Sequence, residues 1–239
     1  METLRLVLFA GGTLVLLGFV AMMTLETARL LAITDEPLPF NPLLHPLETA
    51  FRLALLLLCA GLMLVSGLPR EQFGVVPFNP MRDLAMAAFL GVVLAWVVNA
   101  FSMGLLPRLR PGLYAPTAMR LLRPRTRDEV APVVLAALPA AALEEMLFRA
   151  LLVGGFSLWA PAPLLVVLSS LLFGVLHMAQ GVWGVLLTAA LGMVMGWLFI
   201  ATGSLWFVIV LHWALNANQL VLAYLRPDLF ERFAHASAK

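Results

Sequence analysis

Glu144, Glu145 and Arg149 stand within six residues of one another in ALEEMLFRALL (142–152), a run that is otherwise apolar. Glu145 and Arg149 are four residues apart with the acid first, the favoured order for an ion pair on one helix face. Glu144 is turned about 100° away and needs a different polar neighbour, or must give up its charge. Two further stretches supply polar groups: FGVLH (173–177) ends in His177, and HWALN (212–216) sets His212 and Asn216 one turn apart, with Gln219 continuing that face. A carboxylate, two imidazoles and a carboxamide suffice for hydrolysis. Glu144 can take a proton from a water held between it and His177. His212 and Asn216 can donate hydrogen bonds to the oxyanion that forms at an attacked carbonyl. No Ser or Cys stands where a nucleophile–base pair requires one, so water is the expected attacker. Glu144, His177 and His212 also match a catalytic zinc set of two His and one Glu with an open position, although HExxH is absent. The sequence leaves a metal-bound water and one activated by Glu144 alone as alternatives.

The elements that must position these residues follow from composition. Of the 239 residues, 62% are hydrophobic and 12% charged, against about 25% charged in soluble domains. That much apolar surface has to face lipid or other buried helices, so the chain reads as an all-α polytopic integral membrane protein. Apolar windows predict about seven transmembrane helices, near Leu4–Leu25, Ala50–Leu68, Leu84–Leu106, Val130–Val153, Pro163–Met178, Val182–Ala201 and Leu205–Leu225. The first of these reads as a true span rather than a signal peptide, since its apolar run is long and lacks a small-residue cleavage site. The chain divides into N-terminal helices and loops (1–129), a four-helix core bearing the motifs (130–225) and a C-terminal tail (226–239). If the last four spans alternate, Val153, Pro163 and Leu205 share one side of the bilayer. Below that side, at about 1.5 Å per residue, lie His212 at about 10 Å, Glu144 at about 14 Å, Asn216 at about 16 Å and His177 at about 21 Å. All four are then expected in one layer near mid-membrane, where an ionised side chain costs about 2.5–3.5 kcal/mol and needs a reason.

Arg29, Arg52, the six Arg of residues 107–129, Arg226, Arg232 and Lys239 make eleven of the fifteen basic residues, and all fall on one side if the N-terminus is outside. The positive-inside rule makes that side cytoplasmic. The net charge of +2 is spread over short loops, which gives no basic stripe for nucleic acid. The single Cys59 rules out an intrachain disulfide. Gly192 and Gly196, at GxxxG spacing, are expected to let their helix approach a neighbour within the chain, with a homodimer contact as the other use. Trp213 is expected to line the cavity beside His212, and Pro132 and Pro139 to kink their helix near Glu144.

EEMLFR, FGVLH and HWALN, in this order on successive hydrophobic segments, resemble the EExxxR, FxxxH and HxxxN motifs of the CAAX protease and bacteriocin-processing family, which includes the CAAX prenyl protease 2 enzymes. The likeness covers about Asp128–Tyr224, and QFGVVPFNPMRDLAMAAF (72–89) resembles a linker that precedes a span in bacterial members. The resemblance implies an intramembrane endopeptidase in a bacterial inner (plasma) membrane, acting on a membrane-associated protein or peptide. It implies Glu144 as the water-activating base beside His177, His212 and Asn216 as the remaining catalytic pair, and Glu145 and Arg149 in support. The family is described both as a metalloprotease, which implies zinc or another divalent metal, and as a metal-free glutamate protease. Eukaryotic members have eight spans against the seven read here. The alternative to an enzyme is a non-catalytic immunity, scaffold or transport partner that retains the motif set.

Overall fold

The computed structural model of the protein describes residues 1–33, 40–105 and 113–231. Arg108, Arg110, Arg232, His235, Lys239 and the expected end of the third span at Leu106 lie outside the described residues. Every regular element among the described residues is helical: α1 (Glu2–Ile33), α2 (Pro46–Ser66), α3 (Pro80–Leu105), α4 (Thr117–Leu122), α5 (Arg127–Gly155), α6 (Ala162–Val175), α7 (Gly181–Thr202), α8 (Leu205–Leu225) and α9 (Pro227–Glu231). Two of them change winding. α3 begins as a π-helix over Pro80–Met86, and α5 ends as one over Met146–Gly155.

Local chemistry sets the ends of these helices. Pro46 opens α2, where a missing N–H costs nothing, and Gly67 closes it at φ 72°, a left-handed position that a side chain resists. The Ser204 hydroxyl accepts the Phe207 N–H at 3.3 Å to cap α8, just after Gly203 ends α7 at φ 61°. Among the described residues, six helices are long and apolar enough to cross a membrane. The fifth expected span is the exception: α6 has 14 residues, and its window ran on to Met178. Past Val175 the chain tightens into a turn, and residues 113–115 bind its far side. Ala115 N–H donates to Gln180 O at 2.9 Å and Trp183 N–H to Leu113 O at 2.8 Å.

α8 is the most enclosed helix, with Val208 and Leu211 fully buried, and α3 runs parallel beside it. A buried Asp83 locks the start of both. It accepts from Ser204 Oγ at 2.8 Å, from Arg82 Nε at 2.7 Å and from the Asn79 N–H at 2.7 Å. Further along, Gly91 lies so close to α8 that a Cβ there would fall on the Leu211 carbonyl. α6 and α7 pack antiparallel, and the GxxxG pair serves that contact: a Cβ at Gly192 would meet Ser170 and one at Gly196 would meet Val166. α1 joins the body through Phe9, fully buried against Phe73 and Phe156, and through Arg5, which donates to Val65 O at 2.9 Å. The remaining apolar surface, including Val15, Leu57 and Trp96, faces outward where lipid lies. The protein is a helical, polytopic, integral membrane protein.

One smaller expectation is corrected. Trp213 does not line the cavity; its Nε1–H donates to Val134 O in α5 at 2.8 Å, and its ring packs beside Leu43, Val133 and Leu220. α5 stays helical through Pro132 and Pro139, and its winding changes only at Met146, one residue past Glu145.

Candidate active site

Glu144 and Glu145 are the last two α-wound residues of α5, and Arg149 sits in the π-wound part that follows. Glu145 and Arg149 are fully enclosed and form the expected pair, Nη1 to Oε1, at 3.2 Å. Arg149 also donates from Nη2 to Gly192 O in α7 at 3.0 Å, and its guanidinium lies 5.0 Å over the Phe173 ring of α6. One cation thus joins three helices, and the low-dielectric surroundings strengthen each contact.

The same Glu145 oxygen takes a second bond that the helix pattern did not foretell. His212 of α8 approaches it with Nδ1 at 2.7 Å. Because a carboxylate only accepts, Nδ1 carries the hydrogen and Nε2 is directed away from Glu145. Nε2 lies 3.6 Å from Glu144 Oε2, within ion-pair range and beyond a direct hydrogen bond. His177, at the end of α6, is fixed in a similar way: its Nδ1 is 2.7 Å from the Phe173 carbonyl oxygen, so the hydrogen is on Nδ1 and Nε2 is left with its lone pair. Phe173 is the common support. Its ring centroid is 4.5 Å from that of His177, 6.1 Å from that of His212 and 5.1 Å from that of Phe148.

A cavity of about 280 Å³ is lined by Glu144, His177, His212 and Asn216 together, so the layer expected from helix rise exists as one space. Glu144 is the acid with an open face, its side chain 34% exposed, while Glu145 has none. The direct neighbour of Glu144 is His212; His177 shares the cavity without reaching ion-pair distance. Among the described residues, no group of three His, Cys, Asp or Glu side chains gathers closely enough to hold a metal ion. The cavity continues along apolar walls to Tyr114, Met119 and Leu122, on the Arg-rich side of the molecule. Burial at that mouth pushes the Tyr114 phenol up to about 12, so it stays protonated.

Sequence reasoning missed three residues here. Phe173 was quoted only as the first letter of a motif. Arg52, grouped by sequence only with the basic residues of one membrane side, pairs with Glu48 within α2 at 3.5 Å, and its charge attracts Glu144 across the helix interface. Asn99 of α3 lines the cavity from a helix outside the motif region, and no spacing rule connects it to α8.

No curated protein and no solved structure matches the chain. Residues 126–218 match one family model, described as Rce1-like, type II CAAX prenyl endopeptidase Rce1-like. The match is under half of the chain, runs from the start of α5 to just past Asn216, and contains all four cavity residues named above. The motif-bearing segment of this membrane protein is therefore similar to the Rce1-like type II CAAX prenyl endopeptidase family.

Proposed function

We propose that the chain is an intramembrane endopeptidase that hydrolyses a peptide bond of a membrane-associated protein or peptide, with Glu144 as the general base. The observation that carries this reading is the placement of His212 between two unlike carboxylates. Glu145, buried and ion-paired, orients the ring through Nδ1; Glu144, open to the cavity, faces Nε2. In the reaction, Glu144 takes a proton from water, and His177 Nε2 accepts the water's other hydrogen as a hydrogen bond and aims it. The oxygen attacks the carbonyl carbon of the substrate. The negative charge that forms on the carbonyl oxygen is met by Asn216 N–H and by His212 Nε2–H, the latter when the ring carries both of its hydrogens. As the carbonyl re-forms and the C–N bond breaks, Glu144 returns its proton to the leaving amine nitrogen, and the water's other hydrogen stays on the oxygen of the new carboxyl group. Arg149 acts through Glu145, which it neutralises and holds in place. The host envelope is proposed to be a bacterial inner membrane.

The test compares protein N-termini in host membranes carrying the wild-type chain or Glu144→Gln at matched abundance. The expected result is a set of N-termini found only with wild type, unchanged after treatment with a strong divalent-metal chelator. Identical profiles would overturn the protease reading in favour of a non-catalytic role for the motif set. Cleavage lost on chelation and restored by zinc would replace the metal-free route.

A further inference from the structure

A peptide bond entering this cavity brings N–H and C=O groups that water no longer satisfies, and each costs about 1–3 kcal/mol if left unpaired. The walls must therefore offer partners beyond those that do the chemistry. Most polar groups on the walls are already engaged. Thr188 donates to Gly184 O at 2.7 Å on its own helix, and the Ser102 hydroxyl accepts the Trp183 Nε1–H at 3.1 Å. Gln219 and Asn99 are different. Both line the cavity, and the buried carbonyl oxygen of Gln219 has no hydrogen-bond partner among the described residues.

Helix register brings the two to one level. α3 and α8 run parallel, with Asp83 joined to Ser204 and Gly91 pressed on Leu211. Those two contacts are offset by 121 and 120 residues, and Asn99 and Gln219 keep the offset of 120. Each stands eight residues past the Gly91–Leu211 contact, about 12 Å further along its helix. Gln219 is also one turn beyond Asn216, a rise of about 4.5 Å, close to one residue of extended peptide. Both residues fall outside the matched segment 126–218.

Resting on the protease reading of the cavity, we propose that Asn99 and Gln219 form a main-chain subsite that holds one peptide unit of the substrate, one or two residues from the scissile bond toward the Arg-rich side. A carboxamide carries one acceptor and a two-hydrogen donor, which complements the single donor and single acceptor of a peptide unit whatever the side chains are. The subsite selects for an extended backbone, and the apolar walls are left to select for side chains or lipid. Gln219 needs only rotation about its own side-chain bonds to present either end.

The test uses the full-length chain in detergent with a farnesylated, internally quenched peptide ending in a CAAX-type sequence, and a series of the same peptide N-methylated at one backbone nitrogen at a time. Gln219→Met and Asn99→Leu are each expected to raise KM by about 3- to 10-fold, the worth of a neutral hydrogen bond, with kcat within about twofold. One N-methylated peptide should suffer a similar loss with wild type and no further loss with Gln219→Met, the coupling that a direct contact produces. Unchanged KM in both variants, or an N-methyl penalty equal in wild type and variant, overturns the subsite. Should Gln219→Met fail to fold, Gln219→Asn keeps the amide and shortens its reach, and the same KM rise is required of it. If wild type leaves the peptide uncut, the protease reading fails by itself. Binding of the peptide to Glu144→Gln, followed by fluorescence anisotropy, then decides the subsite: weaker binding when Gln219→Met is added supports it, and equal or absent binding overturns it.

Discussion

Glu145 holds two partners on one oxygen, and that sharing separates what it does for stability from what it does for His212. Removing Arg149 alone, as Arg149→Leu, leaves a buried carboxylate facing one imidazole and is expected to cost about 3–5 kcal/mol, read as a lowered unfolding midpoint in detergent. Replacing both members, as Glu145→Leu with Arg149→Leu, removes the uncompensated charge and is expected to recover most of that loss, since an apolar pair of similar volume packs in the same space. Activity should not return with it, because the Nδ1–H of His212 then has no carboxylate to fix the ring. Recovery of cleavage in the double variant would show that Glu145 serves folding alone. At this scale the sequence was informative where residues share one helix. The Glu145–Arg149 pair and the His212–Asn216 face follow from the 3.6-residue period. The Glu145–His212 bond spans 67 residues and two helices, and no periodicity encodes a contact between helices.

At the scale of elements, apolar windows found every long helix and misjudged one. The residues remain apolar to Met178, yet the helix ends at Val175, where the chain tightens into a turn with the His177 N–H on Gly174 O at 2.9 Å. Hydropathy cannot see a change of winding inside an apolar run. The contact between α6 and α7 gives a direct test of how the helices position the site, since Phe173 lies on α6 and His177 two residues past its end. Gly196→Val would drive its branches into Val166, whose Cγ1 already lies 2.7 Å from a Cβ placed there. The variant is expected to lose about 1–3 kcal/mol through overpacking, and cleavage with it. Gly61→Ala in α2, where a Cβ meets nothing within 4 Å, is expected to hold its midpoint or gain about 0.5–1 kcal/mol. Thermal unfolding of the two variants in parallel distinguishes a packing requirement from a general intolerance of larger residues.

For the whole molecule, the two faces are chemically unlike. One face carries the Asp83 knot, the Gln72–Gly154 hydrogen bond and the α7–α8 turn; the other carries α4, α9 and the mouth of the cavity. If the Arg-rich face is cytoplasmic, as the positive-inside rule predicts, Glu71→Cys is expected to react with an impermeant maleimide added outside intact cells, and Arg120→Cys only after the membrane is opened. Cys59 is buried and should contribute little background. The reverse pattern would invert the protein and place the cavity mouth outside.

The shortness of α6 has a consequence for the surrounding bilayer. Leu164, Leu168, Leu171 and Val175 present an apolar stripe outward along this helix, and its 14 residues extend only about 21 Å. A bilayer offers about 30 Å of hydrocarbon. Lipids beside α6 must therefore compress or tilt to keep their headgroups beside polar protein, at a modest cost per ångström. The resulting dimple lies where the chain turns at His177. Such a dimple is expected to shorten the distance that a hydrated segment has to travel from bulk water to the buried carboxylates.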